Sequence, residues 1–276
     1  MLLSSLGFAW MGAFVKLAGN VPTFEKAFFR NFISLLVSIL IIYKSKENPL
    51  GKKENRKFLW GRGILGTMGM LCYFYGIDRL ILPDSGMLNK MHPFFITIFA
   101  AIFLKEKISK HQIISLLIAF TGVIFIMKPS ADFYKSMPAL ICFMSAVFAG
   151  AAYVFVSYLG NKESSSVIVF YFSLISTLIT LPLSLLNFTM LNFYQLAVLL
   201  LAGVSAAMAQ FALTIAYKYA PAGEVSIYNY SNVIFSSILG IILFSEIPGA
   251  LSIIGYILIT FAGYIVFKYG KLKKQA

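Results

Sequence analysis

"SGMLNKMHPFFITIFAAIFLKE" (residues 85–106) and "VSIYNYSNVIFSSILGIILFSE" (residues 225–246) stand 140 residues apart and share one outline. Each opens on polar residues, runs through an apolar middle and closes on a glutamate. At that offset Asp84 meets Glu224, Asn89 meets Asn229, Ala100 meets Gly240 and Glu106 meets Glu246; with one further residue Gly122 meets Gly263. The correspondence divides the chain into two units, 1–134 and 135–276, of matching hydropathy layout. The apolar middles are too long and too uniform for barrel strands, which alternate with period two, so helices are the expected element.

Outward from this pair, apolar runs of bilayer-crossing length recur along the whole chain. Hydrophobic residues make up 59% of the 276 and charged residues 12%, with a mean hydropathy of +0.85. A soluble domain is about half apolar and about a quarter charged. The reading is an all-α polytopic membrane protein with ten spans, at 2–19, 26–43, 59–77, 85–104, 111–127, 138–158, 166–186, 195–216, 225–244 and 249–267. Five spans per unit is an odd number, so the second unit enters the membrane inverted relative to the first. Inverted repeats place two half-structures about a pseudo-two-fold axis in the membrane plane, an arrangement suited to transport.

The connections carry the orientation. On one side, 44–58, 105–110, Lys162, Lys218 and the tail hold fifteen Lys and Arg, against four on the other (Lys26, Arg79, Lys128, Lys135). The positive-inside bias puts both termini in the cytoplasm, in the cytoplasmic membrane of a cell. Residues 1–19 lack a basic n-region and a small-residue cleavage site, so the chain is read as beginning inside its first helix.

Several function classes are excluded or disfavoured. The net charge of +13 sits in loops rather than in one folded patch, which argues against nucleic acid. Cys72 and Cys142 lie in apolar runs and read as small hydrophobes rather than as a disulfide or a metal site. No phosphate-binding G-x-x-x-x-G-K-[ST] loop is present, no cofactor is implied, and His92 and His111 are not clustered with paired carboxylates as an enzyme would need. Small residues crowd span 3 (Gly61, Gly63, Gly66, Gly69) and span 8 (Ala202, Gly203, Ala206, Ala207, Ala209). They permit close helix packing, or a surface that faces a cavity.

Four stretches carry a family resemblance: "WMGAFVKLAGNVPTFEKAFFRN" (10–31), "HPFFITIFAAIFLKEKIS" (92–109), "LIAFTGVIFI" (117–126) and "VIFSSILGIILFSEIPG" (233–249). In their order and spacing they resemble the EamA-type members of the drug/metabolite transporter superfamily. The resemblance implies a duplicated ten-helix carrier for small polar or amphipathic metabolites. It further implies a central cavity lined mainly by spans 3, 4, 8 and 9, with parts of 1 and 6. Lys90 and His92 depart from the plainer residues of many relatives.

Candidate residues follow from what hydrocarbon tolerates. Lys90 lies about 9 Å into span 4 at the helical rise; an amine there snorkels, meets a partner, or faces a cavity where it can bind a carboxylate. His92 lies about 200° round a continuous helix from Lys90 and reads either as hydrogen-bonded packing or as a proton-exchanging group. Pro93 frees a carbonyl near residue 89, which makes a kink, a hinge or a ligand site; Val233 stands at its mate. Asn89 and Asn229 are mates that tie helices or touch substrate. Asn232 and the tyrosines Tyr75, Tyr153 and Tyr228 are further substrate candidates, in a tyrosine cluster that also holds Tyr73, Tyr217 and Tyr230, since Tyr offers a ring and a hydroxyl.

Asp84 and Glu224 open their helices as caps, or act in gating and coupling. Arg30 is read with Glu25 as an outer-interface ion pair or as a snorkeller, or as an entry site for anions or a gating group. Lys16 reads as a snorkeller, Arg62 as a contact for lipid phosphate, and Glu106 and Glu246 as structural. The expected activity is secondary active transport of a small-molecule metabolite by alternating access, by a monomer or weak homodimer surrounded by lipid. A channel, a lipid-moving protein and, further off, a membrane enzyme are the alternatives.

Overall fold

The computed structural model describes all residues except 105–109, 128–132, 161, 187, 220–225 and 276. Glu106 and Glu224, and the lysines Lys105, Lys107 and Lys128, therefore lie outside the described residues. Among those described there are eleven α-helices: α1 (Leu2–Leu17), α2 (Thr23–Ser45), α3 (Arg56–Ile77), α4 (Leu82–Asn89), α5 (His92–Leu104), α6 (Lys110–Met127), α7 (Phe133–Leu159), α8 (Ser165–Leu186), α9 (Phe193–Tyr219), α10 (Ser231–Phe244) and α11 (Ala250–Gln275). Short 3₁₀ turns span Lys53–Asn55 and Ser226–Tyr230. Five helices meet the length and apolarity needed to cross a membrane: α2, α6, most of α7, α8 and α9; α1 and parts of α10 and α11 are shorter apolar helices. Large apolar side chains such as Leu40, Leu117, Leu185 and Ile242 point outward, where lipid replaces water as solvent.

The main change from the sequence reading is in span 4. It is two helices, with Lys90 and Met91 between them. Pro93 sits in the first turn of α5, where its missing N–H costs nothing. The carbonyl of Asn89 is taken by His92, whose Nδ1 donates to it at 3.0 Å. A proline explains this break. In span 9 the matching position is also irregular, the 3₁₀ turn Ser226–Tyr230 giving way to α10 at Ser231, although no proline stands there.

Packing runs mostly between the two units. α3 lies on α7 and α1 on α9; α3 lies on α8 and α2 on α9; α4 and α5 lie on α7 and α10 on α1. α2 packs on α8 and α6 on α11. Exchange of the two sets of spans turns each of these pairings into another on the same roster, or into itself.

Small residues set the distances. A Cβ added to Gly122 would come 2.9 Å from the Gly255 carbonyl oxygen, so α6 and α11 touch backbone to backbone. Gly61 lies against Phe155, Gly63 against Ile175 and Gly69 against the α7 backbone. Gly203 abuts Ile33, and Gly7 abuts Ala209.

Polar ties gather at the two ends of the bundle. At the end carrying the α1–α2, α3–α4 and α8–α9 connections, Lys16 pairs with Glu246 and donates to the Leu80 carbonyl at 2.8 Å, and Glu246 accepts from the Leu82 N–H at 2.8 Å. Lys26 pairs with Asp78 at 2.5 Å. Glu25 accepts from the Thr189 N–H and hydroxyl, not from Arg30. Five positions separate Glu25 from Arg30, too many for a shared helix face. Lys16 is likewise a partner of Glu246 rather than a snorkeller, and it supplies the charge that offsets a carboxylate at the end of α10. At the opposite end Glu47 accepts from Ser164 and Ser166, and Glu163 from Asn55 and the Lys52 N–H.

Candidate functional site

A cavity opens beside the break in span 4. Phe8 and Met11 of α1, Arg30 of α2, and Arg62, Gly66, Gly69, Met70, Tyr73 and Phe74 of α3 line it. Asn89 and Lys90 face it at the break, and α7, α8 and α9 contribute Ala149, Ala152, Tyr153, Phe172 and Gln210. Both units therefore build its wall. The expected lining by spans 3, 4 and 8, with parts of 1 and 6, is present in this list; span 9 is not on it, and spans 2 and 7 are.

Three cations face this space. Arg62 is 2% exposed and Arg30 3%. Arg62 is thus buried against protein rather than set against lipid phosphate. It sits six positions into α3, about 9 Å from the start at the helical rise. Both guanidiniums lie near the Phe172 ring, with the Arg62 carbon 4.2 Å and the Arg30 carbon 5.1 Å from its centroid. The Tyr153 ring is 5.7 Å from Arg62. Lys90 places its ammonium 5.3 Å from the Phe8 centroid. Aromatic faces attract such cations without neutralising them.

Glycine makes room for the arrangement. A Cβ at Gly66 would collide with Arg62 Nη1 and stand 2.9 Å from the Phe172 ring. Gly66 is one turn beyond Arg62, so the guanidinium can lie flat along α3 at that point. Arg30 also donates to the Asn31 side-chain oxygen, and Asn31 in turn is held by the Ala27 carbonyl at 2.8 Å. Among the described residues, three buried nitrogens on the cavity wall have no hydrogen-bond partner: Arg30 Nε, Arg62 Nε and Gln210 Nε2.

The sequence candidates divide by place. Asn89, Lys90, Tyr153 and Arg30 come together on the cavity. Asn89 also donates to Ser145 at 2.9 Å. His92 is buried just behind, its ring edge-on to Tyr153 at 4.9 Å, and is not among the lining residues. Asn229 is buried away from the cavity, and Asn232 ties α10 to α1 through the Ser5 carbonyl at 2.8 Å. Tyr228 is half exposed, with its carbonyl held by Ser5. Tyr75 lies beneath Arg79 at 3.8 Å, and Tyr73, two residues earlier and on the other side of α3, is the tyrosine of that helix that lines the cavity.

Asp84 does not cap α4. Its carboxylate accepts from Tyr256 at 2.5 Å and from Ser252 at 3.2 Å, fastening α4 to α11. Phe172 and Gln210 were not singled out by sequence, and Arg62 was read there as a contact for lipid rather than for the cavity. The signal for Arg62 was its place among four glycines, one of them a turn away.

An apolar helical bundle with five helices long enough to cross a bilayer has the form of a multi-pass membrane protein. Comparison with known proteins gives the family. The model of the EamA-like transporter family matches residues 1–128 and again 136–268, and the chain belongs to that family. The pseudopaline exporter CntI of Pseudomonas aeruginosa is 33% identical over 263 residues, covering 95% of this chain and 92% of that one. Human solute carrier family 35 member G1 is 29% identical over 90% of this chain and 72% of its own length. An S-adenosylmethionine uptake transporter of Rickettsia bellii is 25% identical, covering 88% and 83% of the two chains. A solved crystal structure superposes with a TM-score of 0.68 at 16% identity, over 98% of this chain and 97% of the other, and so shares the fold.

Proposed function

We propose that this protein is a secondary active carrier that moves a small organic metabolite across the cytoplasmic membrane by alternating access. The observation that carries the proposal is the central cavity, walled by helices of both units and placed at a broken span. A broken span is where a carrier can present side chains and free backbone groups to cargo at membrane depth. Arg30, Asn89, Lys90 and Tyr153 are the proposed cargo contacts from the sequence reading, joined by Arg62 and Gln210. Relatives bear names of both directions, export of pseudopaline and uptake of S-adenosylmethionine; this supports one scaffold serving either direction.

The two units, 1–134 and 135–276, are proposed to be inverted, with both termini cytoplasmic. The exchange of packing pairs under a swap of units supports the repeat, and the Lys and Arg asymmetry supports the orientation. On that orientation the Lys16–Glu246 tie closes the outer end. Both ends are tied in this structure, so rocking of the units would open the outer end by breaking the Lys16–Glu246 tie and the inner end by breaking the ties at Glu47 and Glu163.

The test is counterflow. A ligand is selected by thermal shift of the purified protein against a metabolite library and then loaded into proteoliposomes. Saturable uptake of labelled ligand, accelerated by unlabelled ligand on the far side, is the expected result. Flux that rises linearly with concentration and ignores the far side would mark a channel.

A further inference from the structure

We infer that the cargo is a small soluble organic anion carrying at least two negative charges, held between Arg30, Arg62 and Lys90. The inference rests on the carrier reading above and names its substrate class.

Five of the 23 Lys and Arg fall inside the spans read from sequence: Lys16, Lys26, Arg30, Arg62 and Lys90. Lys16 and Lys26 are paired at one end of the bundle. The other three face one cavity. Among the described residues no ion pair reaches any of them, since the two pairs present join Lys16 to Glu246 and Lys26 to Asp78. The remaining buried carboxylates are committed elsewhere, Glu25 to Thr189 and Asp84 to Tyr256. Three like charges in a buried space repel one another and lose hydration. A fold keeps such a cluster where an anion completes it.

The unfilled hydrogen-bonding capacity has the same sign. Arg30 Nε, Arg62 Nε and Gln210 Nε2 are buried donors without acceptors. Guanidinium presents a planar fork that fits carboxylate oxygens two at a time, and Phe172 holds both forks in place before cargo arrives. Lys90, on the same cavity by Phe8, is a point charge able to meet a second acidic group. The rings of Phe8, Tyr73, Phe74 and Tyr153 on the wall suit the carbon frame of an organic anion.

A phospholipid headgroup offers similar chemistry, so the test separates the two sources. Full-length protein is purified in detergent free of phospholipid. Its thermal unfolding is followed with succinate, glutarate and citrate, with succinamide as a neutral match, with putrescine, and with phosphatidylglycerol micelles. At least one of the carboxylates should raise the unfolding temperature, while succinamide and putrescine leave it unchanged. Lys90→Met keeps the length of the side chain and removes the charge. With no ligand it should unfold at a higher temperature than wild type, and its carboxylate affinity should fall by about tenfold or more.

A purely structural Lys90 would lower the unfolding temperature on substitution, and that result overturns the inference. So does stabilisation by succinamide or putrescine with none from the carboxylates, by phosphatidylglycerol alone, or by none of the probes. Arg62→Gln provides a second variant; it should lose the carboxylate response as Lys90→Met does, and a response kept in both variants also overturns the inference. Carboxylate binding without counterflow would sink the carrier and leave the anion site standing. Counterflow of a neutral solute would do the reverse.

Discussion

Glu246→Gln isolates the charge in the tie at the end of the bundle. The carboxylate pairs with Lys16 and accepts from the Leu82 N–H at 2.8 Å, so it joins α1, α10 and the first turn of α4. Glutamine keeps the shape and one acceptor oxygen but removes the charge. Both side chains are 17% exposed. An exposed pair is worth about 0.2–1 kcal/mol, and loss of one partner from a fully buried pair costs about 3–5 kcal/mol. A mostly buried pair that still touches solvent falls between them, at about 2 kcal/mol, which corresponds to roughly 30-fold in an equilibrium. Hydrogen–deuterium exchange reads this directly, because the Leu82 amide is one of the bonded groups. In Glu246→Gln, peptides covering residues 80–88 should exchange about 30-fold faster, with the amides of α8 unchanged as a reference. Lys16→Met should act in the same direction, and the double variant should add little to either. Exchange that stays within about twofold of wild type would show that the charge does not hold this end closed, and the magnitude argued from burial would be wrong.

Three further outcomes are expected. Gly66→Ala should leave thermal stability equal or lower, since a helix-propensity gain of about 1 kcal/mol is opposed by overpacking of about 1–3 kcal/mol against Phe172. It should also weaken ligand binding about tenfold by displacing the Arg62 guanidinium from its groove; a titration with unchanged affinity refutes this. His92→Ala strands the Asn89 carbonyl at a cost of about 1–3 kcal/mol, seen as a fall in unfolding temperature of about 2–4 °C for each kcal/mol. His92→Gln, which can still donate, should recover most of it and leave the pH profile of transport unaltered; a changed profile would restore His92 as a proton carrier. Tyr256→Phe should loosen α4 from α11 and speed unfolding, because it removes a donor from the buried Asp84 carboxylate; unchanged unfolding kinetics would argue that this contact is dispensable.

Sequence and structure agree where solvent preference alone decides. Long apolar runs and small-residue stripes left little choice but a packed helical bundle, and Gly122 and Gly203 are in close contact with a facing helix. Periodicity served less well where a helix is not continuous. The 200° separation of Lys90 from His92 assumes one helix, and the chain breaks between them. Pro93 indicated the freed carbonyl, but nothing in the sequence indicated that His92 itself would take it. The irregular start of span 9 had no proline to mark it.

The site was harder to read because it depends on contacts between distant segments. Arg30 was paired by sequence nearness with Glu25, whereas Thr189, far along the chain, claims that carboxylate. Arg62 followed a basic loop and looked interfacial, yet Phe172 of another helix receives it. The mates Asn89 and Asn229 occupy equivalent positions in sequence, and only Asn89 reaches the cavity. A repeat fixes the layout of spans, and the divergence of side chains between its halves decides where the cavity forms.

The measurement that tests the account most directly is the side-specific accessibility of one cavity position. Ala152 lines the cavity at 1% exposure, and Cys142, fully buried, can remain as an unreactive reference once Cys72 is changed to alanine. Ala152→Cys in oriented proteoliposomes is treated with a membrane-impermeant thiol reagent from one face or the other. The account predicts modification from either face in turn, protection by bound ligand on both, and, in Glu246→Gln, faster modification from the face that the Lys16–Glu246 tie closes. Modification from one face only, in every variant and with or without ligand, would contradict a carrier with a single alternating site.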